Sequence, residues 1–254
     1  MPWDAIQLND GNVIPGIAFG TGGIGNGQGP IDQVDQAISV GFSHIGKHDT
    51  AQIYRNEEEA GIAVRESGLA RQDIFITTKY SGLNGLDIET SIQNSLKNLG
   101  VEYVDLYLIH FPSLAQPDIP TAWAKMEAIK KAGLAKPACS VLIGLNSPIT
   151  HQPGGPVDKP LNEIAQRLGA TTDQVLLAWV RAKGAVAVTT SSKKFRLEGY
   201  LAAGDLKISA ADIEAIDSAG AKGARQGIFV KSVRAIAELM LFGAVAFRIY
   251  TFFA

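Results

Sequence analysis

The chain has 254 residues, 46% hydrophobic and 19% charged, a balance that suits one globular domain with a sizeable core and excludes a disordered chain. A net charge of −2 gives no electrostatic reason to expect nucleic acid as a partner. The single cysteine, Cys139, excludes an intrachain disulfide and a multi-cysteine metal site, and fits a reducing, cytoplasmic setting.

Ala5-Ile-Gln-Leu8, the turn Asn9-Asp-Gly-Asn12 and Val13-Ile14 predict a β-hairpin, with Asp-Gly as the turn signal. Ile17-Ala-Phe19 is a short apolar strand that runs into the glycine-rich stretch 20–29. Apolar residues at 31, 34, 37 and 38 have helical spacing. Strand-like and helical segments then alternate: strands near 42–45, 74–78 and 104–109, and helices over 57–67, 88–99 and 123–132, these last three closed by Gly68, Gly100 and Gly133. A strand is expected over 140–143, helices over 161–168 and 172–181, the last strand over 186–189, and a helix over 210–218 capped by Ser209.

This alternation predicts a parallel sheet with crossover helices. Six such strands are counted after the hairpin, near residues 17, 43, 75, 106, 141 and 187. A (β/α)8 TIM-type barrel has eight. The expected fold is therefore an incomplete α/β barrel over 1–224, with a hydrophobic extension over 225–254. The amino terminus has no basic stretch followed by an apolar run, so no signal peptide is expected. The apolar tail is broken by Lys231, Arg234, Glu238 and Arg248. A terminal helix packed on the barrel is favoured over a membrane anchor, because a charge deep in a spanning helix is costly.

Parallel barrels carry their reactive groups at the carboxyl ends of strands. Asp49 and Tyr54 follow the second parallel strand, Lys79 ends the third and His110 ends the fourth. A tyrosine is a weak acid, with an ordinary pKa of about 10. A neighbouring ammonium stabilises its phenolate, and an aspartate holds that ammonium in place. A histidine can orient a carbonyl by a hydrogen bond. Hydride must then come from a cofactor, since no side chain supplies it. Taken singly, Asp49 reads as a cap, Tyr54 as half-buried packing, Lys79 as a solvated charge and His110 as a core histidine. Their joint placement at consecutive strand exits favours an active site. His44, His48 and His151 share no ligand spacing with a cysteine or acidic cluster, so no metal is expected.

The segments Gly41-Phe-Ser-His-Ile45, Asp49-Thr-Ala-Gln-Ile-Tyr54, Leu106-Tyr-Leu-Ile-His110 and Val186 to Arg196 together resemble the aldo-keto reductase family. The resemblance covers nearly everything from Ile6 to about Ala224. It implies reduction of aldehydes or ketones to alcohols with NADPH, on a small carbonyl substrate; a monomer is expected, with the oligomeric state open. It also implies that Asp49, Tyr54, Lys79 and His110 form the catalytic set, with Tyr54 as the acid. By the same resemblance, Gly20 and Thr21 lie near the nicotinamide, and Thr190, Ser191, Ser192 and Arg196 near the adenosine 2′-phosphate. Thr190 stands where the family usually has a lysine.

Three departures from the family pattern stand out. Gly46-Lys-His48 reads as an insertion ahead of Asp49. The helix over 123–132 runs directly into 138–148, which resembles the family's seventh strand, so the fifth and sixth strands and their Ser-Asn pair are expected to be missing. Ile143 occupies the place of an aromatic that stacks on the nicotinamide. These losses keep open a second reading, a catalytically impaired barrel that acts as a binding protein.

Overall fold

The computed structural model describes residues 2–8, 10–46, 52–136 and 154–223. The chain divides into two compact units, one built from residues up to 147 together with 173–207, the other from 148–172 and 208 onward. The first begins with a hairpin. β1 (Ala5–Gln7) pairs antiparallel with β2 (Val13–Pro15), with Ile6 opposite Ile14. Gly11 turns the chain at a φ of 84°, a left-handed conformation that suits glycine, and the Leu8 amide donates to the Asn12 carbonyl at 2.7 Å.

Five short strands then form a parallel sheet: β3 (Ile17–Phe19), β4 (His44–Gly46), β5 (Phe75–Tyr80), β6 (Leu106–Ile109) and β7 (Ala187–Thr189). Their order is β6-β5-β4-β3-β7. The last strand thus lies beside the first, the neighbour relation found where a (β/α)8 barrel closes. The sheet is a half-barrel of the TIM type with the hairpin ahead of it. The helices in chain order are α1 (Gln28–Val40), α2 (Glu57–Glu66), α3 (Ile88–Leu99), α4 (Ile119–Lys131), α5 (Asp158–Leu168), α6 (Thr172–Ala182) and α7 (Lys194–Ala202).

Strand side chains alternate faces, and this sorts the sheet residues into two sets. Ile17, Phe19, Ile45, Ile76, Tyr107 and Ala187 join Val34, Ala60, Ile92, Met126 and Leu197 in one buried core beneath the helices. Fully burying each large member contributes about 1.5–3 kcal/mol. At Gly61 a β-carbon would collide with the Leu99 backbone, so glycine lets α2 and α3 approach closely. The opposite set, Phe75, Leu106, Leu108 and Val186, packs with Ile6, Leu8 and Ile14. The hairpin therefore covers the amino-terminal end of the inner face with apolar side chains.

The inner face turns polar beyond that plug. His44 is fully buried, with Nε2 2.9 Å from Thr77 Oγ1 and its ring edge-on to Phe75 at 4.6 Å. It is a satisfied core histidine. Among the described residues no His, Cys, Asp and Glu cluster is arranged to hold a metal. At the sheet's amino end, buried Asp105 accepts from the Ile76 amide at 2.9 Å and pairs with Arg71 at 2.7 Å and Lys136 at 3.2 Å.

Two sequence expectations change. α4 starts at Ile119 rather than 123, because Asp118 caps it by accepting from the Thr121 amide at 2.7 Å and Pro120 suits the first turn. The chain also re-enters the sheet directly after α4. Ala135 forms a parallel bridge with Val104, and the Lys136 amide donates to the Val104 carbonyl at 3.1 Å. This return beside Val104 falls at Ala135 and Lys136, ahead of the strand expected over 140–143. The strand expected over 140–143 and Ile143 itself lie outside the described residues, as does the tail over 225–254. Among the described residues no helix is long and apolar enough to cross a membrane.

In the second unit, α5 ends at left-handed Gly169, and a further helix covers 210–223. Ser209 and Asp212 cap that helix reciprocally: the Ser209 amide donates to Asp212 Oδ2 at 2.8 Å and the Asp212 amide to Ser209 Oγ at 3.2 Å. Burial pushes the Asp212 carboxyl up, but the Ser209 donors and the Arg167 guanidinium outweigh it and hold the group below the usual carboxylate range.

Candidate active site

β5 and β6 are in parallel register, with Thr77 beside Leu106 and Lys79 beside Leu108. Phe75, Thr77 and Lys79 share one face of β5, and continuing the alternation of β6 through Leu106 and Leu108 brings His110 to the same face. Lys79 is buried, with 7% of its surface exposed, and is engaged in a polar interaction. His110 continues the ladder one step beyond β6, its amide donating to the Tyr80 carbonyl at 2.9 Å.

Tyr54 closes a single helical turn, Gln52–Tyr54, just ahead of α2. Its Oη lies 3.0 Å from His110 Nε2, and the two rings meet edge-on with centroids 5.7 Å apart. His110 also stacks on Phe111 at 4.2 Å and 8°. On its other side, His110 Nδ1 is 3.1 Å from Ser81 Oγ. The imidazole is thus fixed by the Tyr54 phenol, the Ser81 hydroxyl and the Phe111 ring. Asp49 lies outside the described residues, as do Lys47 and His48 of the expected insertion; Gly46 still pairs with Thr77 as the last residue of β4.

The loop after β3 starts at Gly20, whose amide donates to the Thr189 carbonyl of β7 at 2.7 Å. Thr21 is fully buried and donates to Asn56 Oδ1 at 3.2 Å. Asn56 Nδ2 in turn donates to the carbonyls of Thr21 and Gly25, both at 2.9 Å, and Glu59 accepts from the Gly27 amide at 2.7 Å. The start of α2 therefore pins the glycine-rich loop while presenting Tyr54 just before it. Asn56, Glu59, Ser81 and Phe111 were not singled out from the sequence. Asn56 and Glu59 lie within the stretch that follows Tyr54, and Phe111 is adjacent to His110, but no periodicity marks them.

After β7, residues Thr190, Ser191, Ser192 and Lys193 lead into the amino terminus of α7. Ser191 Oγ accepts from the Lys193 amide at 3.1 Å, and Ser192 is exposed. Thr190 Oγ1 is buried with no hydrogen-bond partner among the described residues. Arg196, in the first turn of α7, donates to Asp173 Oδ2 of α6 at 2.7 Å and lies 5.8 Å from the Tyr200 ring. The bond to Asp173 raises its pKa above the ordinary arginine value.

Residues 16–138 match the model of the Aldo/keto reductase family. An aldo-keto reductase of Bombyx mori is 41% identical over 149 residues, which cover 52% of this chain and 47% of that protein. An aldehyde reductase of Saccharomyces cerevisiae is 33% identical over 209 residues, covering 71% of this chain and 65% of that protein. The chain thus spans about half to two thirds of the length of these relatives. Two solved structures are similar: an aldo/keto reductase from Brucella melitensis, with a TM-score of 0.71 and 29% identity over 84% of this chain and 96% of that one, and the Bombyx mori enzyme in complex with NADP, with a TM-score of 0.72 and 26% identity over 85% and 92%.

Proposed function

The chain belongs to the aldo/keto reductase family, and from that premise we propose that it reduces an aldehyde or ketone to an alcohol with NADPH, Tyr54 giving the proton. The observation that carries this reading is the 3.0 Å approach of Tyr54 Oη to His110 Nε2, beside the strand that bears buried Lys79.

NADPH supplies the hydride. Gly20 and Thr21, in a loop held by Asn56 and β7, would receive its nicotinamide end. Thr190, Ser191, Ser192 and Arg196 would hold the 2′-phosphate. The unpartnered Thr190 hydroxyl supports that fit, because a buried polar atom without a partner costs about 1–3 kcal/mol until one arrives. The amino terminus of α7 adds a partial positive charge there.

In the reaction, the Lys79 ammonium favours the phenolate form of Tyr54. His110 holds the substrate oxygen beside the Tyr54 hydroxyl. As the carbonyl carbon accepts hydride, its oxygen takes the Tyr54 proton and leaves as the alcohol. The apolar floor formed by Leu108, Leu106 and Ile14 shields these charges from water on the amino side.

The test is NADPH oxidation with an aromatic aldehyde, run beside Tyr54→Phe. Removing the acid is expected to lower kcat by about 10²–10⁴-fold while NADPH binding, followed by tryptophan fluorescence, is kept. Equal rates in the two proteins would overturn Tyr54 as the proton donor. NADPH binding without turnover in either would favour the binding-protein reading.

A further inference from the structure

Ser81 lies one residue beyond β5 and is buried, with 9% of its surface exposed. Its Oγ is 3.1 Å from His110 Nδ1 and 3.5 Å from the Lys79 carbonyl oxygen. His110 Nε2 is 3.0 Å from Tyr54 Oη. Ser81, His110 and Tyr54 therefore form one chain in which the direction of each hydrogen fixes the next.

A hydroxyl has one hydrogen to give, and a neutral imidazole carries one hydrogen on one of its two nitrogens. If Ser81 donates to the Lys79 carbonyl, its oxygen accepts from Nδ1–H. Nε2 is then bare, and the Tyr54 hydroxyl must donate to it. If Ser81 donates to Nδ1, the imidazole hydrogen sits on Nε2 and the Tyr54 oxygen accepts. The phenol proton is then left to point elsewhere. The 3.1 Å contact is made in both states, so what separates them on the serine side is the bond to the Lys79 carbonyl: at 3.5 Å it is at the edge of being one, and little is lost when Ser81 turns its hydrogen to Nδ1 instead.

We propose that Ser81 is a positioning residue, whose hydroxyl donates to His110 Nδ1, holds the imidazole as its Nε2–H tautomer and so turns the Tyr54 proton toward the incoming carbonyl. The catalytic consequence rests on Tyr54 as the proton donor. The tautomer itself does not.

The test compares the full-length protein with Ser81→Ala and Ser81→Thr. Histidine nitrogen NMR reads the tautomer of His110, assigned by its loss in His110→Gln, and aldehyde reduction reads kcat and KM. In Ser81→Ala the His110 nitrogens are expected to shift toward the Nδ1–H tautomer. Loss of one neutral hydrogen bond lowers kcat by up to about tenfold, with KM for NADPH unchanged. Ser81→Thr keeps a hydroxyl and restores both. A tautomer unchanged in Ser81→Ala overturns the proposal. A shifted tautomer with an unchanged kcat overturns its catalytic part. If instead Tyr54→Phe retains the parent rate, the proposed function fails, and the NMR arm still decides the Ser81–His110 bond.

Discussion

Thr78 Oγ1 donates to Glu57 Oε1 at 2.7 Å, and both residues are buried. Asn98 Nδ2 supplies the second carboxylate oxygen with a donor at 3.0 Å. Glu57 is the first residue of α2, three positions beyond Tyr54, and Thr78 is the neighbour of Lys79 on β5. The carboxylate thus ties the turn that bears the phenol to the strand that bears the ammonium. Glu57→Gln puts an NH2 group against one of the two donors, which costs about 1–3 kcal/mol. Displacement by ~1 Å at a reacting group costs on the order of a hundredfold in rate. Glu57→Gln is therefore expected to lower both the urea midpoint and kcat, the latter by ten- to a hundredfold. An unchanged kcat in the folded variant would show that other contacts alone hold the Tyr54 turn.

Tyr107 offers a contrasting case on the helix side of the same sheet. It is fully buried in the main core, and its hydroxyl has no hydrogen-bond partner among the described residues. Burial, with the Glu57 carboxylate as a second cause, pushes its pKa well above the ordinary tyrosine value. The unfolded chain loses this proton near pH 10, below the folded value. Stability is therefore intact below about pH 10 and is lost as pH rises from there toward the folded pKa. Tyr107→Phe removes the stranded hydroxyl and the alkaline sensitivity together. It is expected to raise stability by about 1 kcal/mol at neutral pH and to flatten the loss above pH 10, as read by thermal melts across that range.

The fold was legible because the strand–helix alternation and the two side-chain periods both point the same way. Asp-Gly announced the hairpin turn, and Gly100 marked the end of α3 at the residue where the helix stops. The approach of Tyr54 to His110 was foreshadowed by their positions after strands of one parallel sheet, since parallel strands bring their carboxyl ends to one edge. Ser81 and Asn56 were not legible, because a serine or asparagine in a loop has no pattern until its partner across the chain is known. The early start of α4 was hidden by Pro120, which breaks a helix interior but suits its first turn. The return of the chain beside Val104 was hidden too, because Leu134-Ala-Lys136 is too short to show an alternation.

Asp105 predicts a purely structural effect. Its buried carboxylate accepts from the Ile76 amide and pairs with Arg71 and Lys136, whose charged groups lie 4.1 Å and 4.3 Å from the Tyr103 ring centroid. Asp105→Ala leaves the Arg71 guanidinium, 23% exposed, without its carboxylate. Breaking such a pair on one side costs about 3–5 kcal/mol when burial is full, and less here because Arg71 and Lys136 retain contact with water. A loss of about 2–3 kcal/mol in chemical denaturation is expected. The residue lies at the amino end of β6, opposite the edge where Tyr54 and His110 meet, so KM and kcat per folded molecule should not move.

Arg196 and Asp173 test the cofactor assignment. Their side chains are 46% and 31% exposed, so the 2.7 Å ion pair contributes at most about 1 kcal/mol to the fold. In the proposed site the same carboxylate competes for the guanidinium that would bind the 2′-phosphate, and Thr190 brings no charge of its own to replace it. Asp173→Asn frees Arg196 and removes a negative charge beside the phosphate. It should tighten NADPH binding several-fold while leaving NADH, which has no 2′-phosphate, unaffected. Arg196→Ala should weaken NADPH binding by about ten- to a hundredfold, the worth of a charge-assisted hydrogen bond, again sparing NADH. Both effects should shrink as salt is raised, because the groups are exposed. Tryptophan fluorescence titrations with the two nucleotides measure all four affinities. Equal losses for NADPH and NADH in Arg196→Ala would place the residue away from the 2′-phosphate.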